Sequence, residues 1–302
     1  MSDPTLAYLV FEVRQPARWQ TFLVEMLGCQ PAGRVDGYEA FRIDDAAYRL
    51  LLREGPADDI VTLGWADAAW QEKAARLSGH GVTVERFSRG GTAGIRVCDP
   101  MGLVNEIVPT LPQGEGAYAS TLMPGGFHTG GEGLGHAVLG VGRQAEAMER
   151  FYIDLLGMKL TERIDTKIGP IKVDGAFLHC NPRHHSLALI AVPSRKRLLH
   201  FMLQANRLKD VGMALERARK AGISINLSLG QHPDPDGTTS FYAETPSGFD
   251  YEIGAGSHTI DPATHQTEIK YVTSDWGHKP SLRMKLRGAM DLLADTFSRK
   301  AA

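Results

Sequence analysis

The sequence predicts an α+β protein made of four β-α-β-β-β units paired into two similar halves. Three observations carry this. Residues 6–13 read LAYLVFEV and residues 134–141 read LGHAVLGV, each a strand-like run leading into an amphipathic helix. Tyr8 to His136 is 128 positions and Gly28 to Gly157 is 129, an offset kept closely enough to mark an internal duplication. The halves also end alike, since DPMGLVNEIV at 99–108 echoes TPSGFDYEIG at 245–254.

The elements follow in order. After the first strand, a helix over about 17–27 places Trp19, Phe22, Leu23, Met26 and Leu27 on one face and stops at Gly28, the expected left-handed cap. The second unit starts at Ile60–Gly64 and has a helix over about 68–77, closed by Gly79 and Gly81. Short strands and the Gly90-Gly91 turn complete it. The Gly-rich, Pro-flanked segment from Leu111 to Gly133 reads as a linker. The third unit has a helix over about 145–156, with Met148, Phe151, Tyr152, Leu155 and Leu156 at helical spacing before Gly157. Its later strands are expected at Ala176–Leu178 and Leu187–Val192. The fourth starts at His200–Leu203, has a helix over about 210–221 closed by Gly222, and turns at Pro235-Asp236-Gly237. The tail is expected to be irregular from His258 to about Pro280, then helical to about Phe297. The domain reading is 1–112 for the first half, 113–133 for the linker and 134–302 for the second half with its tail.

The bulk numbers narrow the function. A chain of 302 residues can bury a sizeable core. Its 43% hydrophobic and 23% charged content is that of a soluble globular protein. A net charge of −2 provides no basic field, which argues against nucleic acid and against a membrane surface as partner. No apolar run approaches the roughly 18 residues that span a bilayer. The start MSDPTLAYLV lacks a basic n-region and a cleavage site. Cys29, Cys98 and Cys180 form neither a disulfide framework nor a CxxC pair. Together these point to the cytoplasm.

Histidines carry the functional signal. His179, His184, His185 and His200 crowd into the stretch from Phe177 to His200. A single buried imidazole is ordinary core. The duplication sharpens the reading, because one half can be compared with the other. His136 stands where the first half has Tyr8, and His200 where it has an uncharged position near Thr62. Both halves keep a carboxylate, Glu252 and Glu106, on the last strand. The first half folds without the imidazoles, so the fold does not require them. Two histidines and one carboxylate from three strands form the ligand set of a facial triad, which leaves one face of an octahedral ion open. Fe(II) suits these donors, with Mn(II) next. Zinc with an open position is the runner-up.

Several longer motifs surround these residues: GLGHAVLGV at His136, FLHCNPRHHSLAL at His185, KRLLHFMLQAN at His200, SFYAETPSGFDYEIG at Tyr242 and Glu252, and WGHKP at 276–280. With them the chain resembles the type I extradiol ring-cleavage dioxygenases of the vicinal oxygen chelate (glyoxalase-like) superfamily, most closely the 2,3-dihydroxybiphenyl 1,2-dioxygenase branch. The resemblance covers residues 6 to 255 and the WGHKP stretch. It implies curved mixed sheets, each enclosing a funnel-like pocket, and a homo-oligomer. It implies Fe(II), or Mn(II), held by His136, His200 and Glu252 in the second half only. It implies a catechol-type substrate such as 2,3-dihydroxybiphenyl, opened by O2 beside its two hydroxyl-bearing carbons, in the breakdown of aromatic compounds. His185 matches the acid–base residue, and His232 and Tyr242 match groups that touch the substrate oxygens and bound oxygen. Val138, Phe177, Leu199 and Asp236 would line the substrate pocket. The chain departs from the family at the loop His232-Pro-Asp-Pro-Asp-Gly-Thr-Thr, which is one residue longer and carries both His232 and Asp236. His185 is expected on the strand that enters the site, so its neighbour His184 should point to the opposite face.

Two other classes use the same units. A glyoxalase-like or epimerase-like metal enzyme would need a carboxylate base and no oxygen. The trio His185, His232 and Tyr242 argues against it. A non-catalytic binder of the bleomycin-resistance type would not need the full triad.

Overall fold

The computed structural model describes residues 3–168 and 171–301. The first half contains β1 (Thr5–Val13), α1 (Pro16–Thr21), β2 (Gln30–Val35), β3 (Tyr38–Arg42) and β4 (Leu50–Glu54), then β5 (Asp59–Ala66), α2 (Trp70–Gly79), β6 (Glu85–Arg89), β7 (Thr92–Cys98) and β8 (Val104–Val108). The second half repeats the order with β9 (Gly135–Gly140), α3 (Ala145–Arg150), β10 (Lys159–Ile168), β11 (Ile171–His179) and β12 (Leu187–Ile190). It continues with β13 (Leu198–Gln204), α4 (Leu208–Lys220), β14 (Ile225–Gln231), β15 (Thr239–Glu244) and β16 (Asp250–Ala255). The four β-α-β-β-β units of the sequence reading are all present. The tail adds β17 (Glu268–Lys270) and α5 (Leu282–Ala301).

Each half forms one curved mixed sheet. Strand order is β2-β3-β4-β1-β5-β8-β7-β6 in the first and β14-β15-β16-β13-β9-β12-β11-β10-β17 in the second. The two orders match except for β17, a short strand parallel to β10 that the sequence reading left irregular. Three exposed or half-buried residues give too little periodicity to read.

The registers make the duplication quantitative. Tyr8 lies opposite Gly64, and Gly64 opposite Glu106. His136 lies opposite Met202, and Met202 opposite Glu252. Thr62 faces Val10 as His200 faces Val138. Tyr8, Thr62 and Glu106 therefore occupy the places of His136, His200 and Glu252. Gly64 is small for a reason: a Cβ there would stand 2.3 Å from the Tyr8 ring.

The helices after β1 and β9 share a detail the sequence did not show. Each is regular α for six residues and then widens into a π turn, Phe22–Met26 and Phe151–Leu155. Each then ends on a left-handed glycine, Gly28 at φ 75° and Gly157 at φ 77°. One wider turn moves the apolar stripe too little to be seen in so short a helix.

The halves are joined by packing as well as by chain. Phe11 of β1 stacks on Trp19 at 5.0 Å and on Phe249 at 5.8 Å, and meets Phe201 of β13 at 5.5 Å. Trp19 Nε1 donates to Ser247 Oγ at 2.9 Å. Asp59, at the start of β5, accepts hydrogen bonds from the backbone N–H of Arg197 at 2.6 Å and of Leu198 at 3.1 Å, where β13 begins. Lys196 Nζ reaches Asp58 Oδ2 at 3.3 Å. The segment between the halves lies on this surface, with Met123 and Phe127 buried. No helix among the described residues is long and apolar enough to cross a membrane.

Candidate metal centre

Three neighbouring strands, β9, β13 and β16, each contribute one side chain. His200 and Met202 are two apart on β13 and so share a face. Met202 pairs with both His136 and Glu252, which brings all three onto that face. His136 Nε2 lies 3.1 Å from Glu252 Oε2, His200 Nε2 lies 3.4 Å from the same oxygen, and the two Nε2 atoms are 3.3 Å apart. Two ligands about 2.1 Å from one ion stand about 3.0 Å apart at octahedral positions and about 3.4 Å apart at tetrahedral ones. The observed triangle falls within that range.

Glu252 supplies the chemical test of fit. It is 1% exposed, and neither carboxylate oxygen meets a hydrogen-bond donor. A buried carboxylate left this way is strongly destabilising. A divalent cation between the two imidazoles would satisfy it. Burial alone would push the Glu252 carboxyl up, but the facing imidazoles of His136, His200 and His232 outweigh it and hold the group well below the usual range. Burial pulls His136 the other way, downward, against the pull of Glu252. The result is a carboxylate beside an imidazole kept neutral, the protonation state in which both bind metal.

Four more groups close around the triangle. His185 packs on His136 with ring centres 4.0 Å apart and on Phe177 at 4.6 Å. Burial, with His136 and His184 nearby, pushes its pKa well below the ordinary value, so the ring is neutral at rest. Tyr242 lies directly opposite Glu252 in the register of β15 and β16. Burial and the adjacent Glu252 raise its phenol far above the usual value, so it keeps its proton. His232, just after β14, donates from Nδ1 to Thr273 O at 2.7 Å and meets Tyr242 Oη with Nε2 at 2.8 Å. Burial lowers its pKa, but Glu252, Asp236 and the Thr273 carbonyl win and raise it to about 9. A cation on Glu252 would cancel part of that pull. Asp236 accepts from the Thr238 hydroxyl and sits within 4.8 Å of nitrogens on His184 and His185.

Val138, Phe177 and Leu199 belong to a small apolar cluster with Ile164, Val173, Ala188, Ile190 and Val192, separate from the main core. Val138 is two residues past His136 on β9 and shares its face. Phe177 touches His185. The cluster therefore borders the triangle.

One expectation is corrected. His184 does not point away from His185. Both lie in the loop between β11 and β12, outside any strand, so alternation does not apply. Their rings face each other, Nδ1 to Nδ1, at 3.0 Å. His179, from the same cluster, meets the Thr161 hydroxyl at 2.7 Å and takes no part in the triangle.

The sequence reading also missed His278. The tail returns to the site through bridges at Trp276 and Pro280, and the His278 ring lies 4.5 Å from His232. It holds Ser274 Oγ at 3.0 Å and Ser240 Oγ at 3.2 Å, and burial with His232 beside it lowers its pKa to about 4. The WGHKP stretch was the available signal, but nothing in its spacing says that it folds back.

Known proteins resemble this chain in sequence and in fold. The model of the glyoxalase, bleomycin resistance protein and dioxygenase superfamily matches residues 133–253, and that of the dihydroxybiphenyl dioxygenase BphC D1 domain matches residues 6–55. The biphenyl-2,3-diol 1,2-dioxygenase of Paraburkholderia xenovorans strain LB400 is 40% identical over 294 residues, covering 92% of this chain and 96% of that one. The chain belongs to the extradiol ring-cleaving dioxygenases. The iron-dependent extradiol dioxygenase of Rhodococcus jostii strain RHA1 is 32% identical over 301 residues, covering 94% and 100%. A crystal structure of catechol 2,3-dioxygenase superposes with a TM-score of 0.82 at 28% identity, covering 93% of this chain and 96% of that one. Membership makes this dioxygenase an iron-dependent oxidoreductase of catechol-type aromatics, and the His136–His200–Glu252 triangle fits an iron ion.

Proposed function

We propose that His136, His200 and Glu252 are the protein ligands of the iron, and that the open side faces a catechol bearing a bulky apolar substituent, of the 2,3-dihydroxybiphenyl kind. The observation that carries the ligand assignment is the buried Glu252, whose oxygens have no donor but face two imidazoles at 3.1 and 3.4 Å. The relatives support the substrate class, and the apolar cluster around Val138, Phe177 and Leu199 offers a surface for a second ring. When bound, iron supplies a Lewis-acid and redox centre at which catechol and dioxygen meet. The chain's own groups do the rest. Tyr242 and His232, linked at 2.8 Å, hold the substrate oxygen. Neutral His185 takes up and returns a proton next to the attacked ring carbon. Asp236 orients the rim of the site. Both atoms of O2 end in a ring-opened, yellow semialdehyde or keto-dienoate acid.

The same reading assigns residues 1–112 as a half without metal, 113–133 as its connector and 134–302 as the catalytic half. The unpaired thiols of Cys29, Cys98 and Cys180 suit the cytoplasm. Exposed apolar side chains on the tail, among them Tyr271, Val272, Leu282 and Leu286, suit a homo-oligomer. The test is anaerobic Fe(II) loading followed by a panel of one-ring and two-ring catechols, read by oxygen uptake and by product absorbance. One oxygen consumed per catechol, with two-ring substrates preferred, is the expected outcome. Oxygen uptake without a yellow product would overturn the assignment. Light scattering gives the oligomeric state.

A further inference from the structure

His185 is backed by a chain of buried groups that the reaction as described does not use. Its Nδ1 faces His184 Nδ1 at 3.0 Å. Across a contact of that length exactly one of the two nitrogens carries the proton when both rings are neutral. The far nitrogen of His184, Nε2, is buried without a hydrogen-bond partner and stands 3.6 Å from Glu162 Oε2. Glu162 is itself 6% exposed. A bare Nε2 would turn its lone pair toward that carboxylate. A protonated Nε2 turns an N–H dipole toward it, which is the attractive arrangement at low dielectric. Protonation at Nε2 leaves His184 Nδ1 bare, so the shared proton must sit on His185 Nδ1. His185 Nε2 is then the bare nitrogen.

The backbone is shaped for this contact. Between β10 and β11 the register slips at Thr161, since Leu160 faces Leu178 but Glu162 faces Phe177. Such a bulge re-aims side chains. Thr161 and Glu162, consecutive in sequence, both reach His184. The Thr161 hydroxyl donates to the His184 carbonyl at 2.7 Å while Glu162 faces its ring. Asp236 also has a carboxylate oxygen within 4.8 Å of a nitrogen on each ring.

We propose that Glu162, acting through His184, fixes the tautomer of His185, so that His185 begins turnover with Nε2 unprotonated, as a proton acceptor. Glu162 and His184 are positioning residues. The proposal rests on His185 being the acid–base group, and neither ring has to change charge for it to hold. In the iron-loaded enzyme Glu162→Gln, whose amide can donate to His184 Nε2 and reverse the relay, is expected to keep its iron and its KM within about twofold. Its kcat should fall about 10–100-fold, the usual effect of losing a carboxylate behind a histidine. Glu162→Asp should recover most of that loss. Nitrogen-15 spectra of histidine-labelled full-length chain, assigned with His185→Gln, should show His185 protonated at Nδ1, with the pattern altered in Glu162→Gln. A wild-type spectrum with the proton on Nε2 overturns the proposal whatever the variants do. So does normal kcat in Glu162→Gln when His185→Gln is slow. If His185→Gln itself runs at normal rate with full iron, the acid–base reading fails instead.

Discussion

The two halves solve one electrostatic problem in different ways. Each buries a carboxylate at the same place in its sheet, Glu106 and Glu252, both 1% exposed. In the first half the protein neutralises it. Tyr8 Oη donates to Glu106 Oε2 at 2.6 Å, and Arg89 and Arg96 each reach Oε1 at 2.7 Å. Arg96 stands opposite Glu106 in β7 and β8, as Tyr242 stands opposite Glu252 in β15 and β16. Arg89 ends β6, while His232 follows directly on β14, the matching strand. Two guanidinium groups thus bring to Glu106 the positive charge that a divalent ion would bring to Glu252. The second half replaces phenol and guanidinium with imidazole and phenol, which leaves the carboxylate without a guanidinium against it. A metal site here is a matter of which counter-ion the sequence omits.

That comparison can be broken by changing either side of it. The largest effect belongs to His200→Ala, which removes one corner of the triangle. It should lose stoichiometric iron and more than about 100-fold of its activity, with its circular dichroism unchanged. Iron retained at one per chain would mean that the ligands are misassigned. His185→Gln should come next, keeping iron and catechol binding while single-turnover ring opening slows about 10²–10⁴-fold. His184→Gln should be milder, because it acts through His185.

On the first half, the expected loss is of stability and not of chemistry. Glu106→Gln strands Arg89, whose side chain is 4% exposed, beside a neutral amide. Breaking a buried pair in this way costs about 3–5 kcal/mol. Urea unfolding should show it, while kcat of the folded enzyme and its iron content stay near wild type. Loss of iron on this change alone would contradict the one-site comparison. Tyr8→Phe removes a single hydrogen bond to a charged acceptor and should cost about 1.5–3 kcal/mol by the same measurement. A larger loss than from Glu106→Gln would mean that the phenol, not the arginines, holds that carboxylate.

The duplication made much of this legible from sequence. An offset of 128 aligned Tyr8 with His136, the order of the units set Thr62 near His200 although those two are 138 apart, and the strand registers carry the same correspondence. The rest depended on contacts that no local pattern records. Nothing local in the short strands of Arg89 and Arg96 says that the sheet brings both guanidinium groups onto Glu106. The extra residue at Thr161 is invisible in a run of alternating residues, and the loop at His184 resembled a strand because its flanks are apolar. His278 reaches the site from the tail only after a long irregular path, so its partners lie far away in sequence.

The seam between the halves has a practical consequence for recombining relatives. Asp59 holds the backbone of Arg197 and Leu198, and Asp58 holds Lys196, just before the strand that presents His200. The first half is therefore a jig for the strand that carries His200, the proposed ligand. Chimaeras that join the first half of one dioxygenase to the second half of another should succeed or fail on this seam more than on overall identity. Crossovers should keep residues 58–59 and 196–198 from a single parent, even where the splice is made in the connector between the halves.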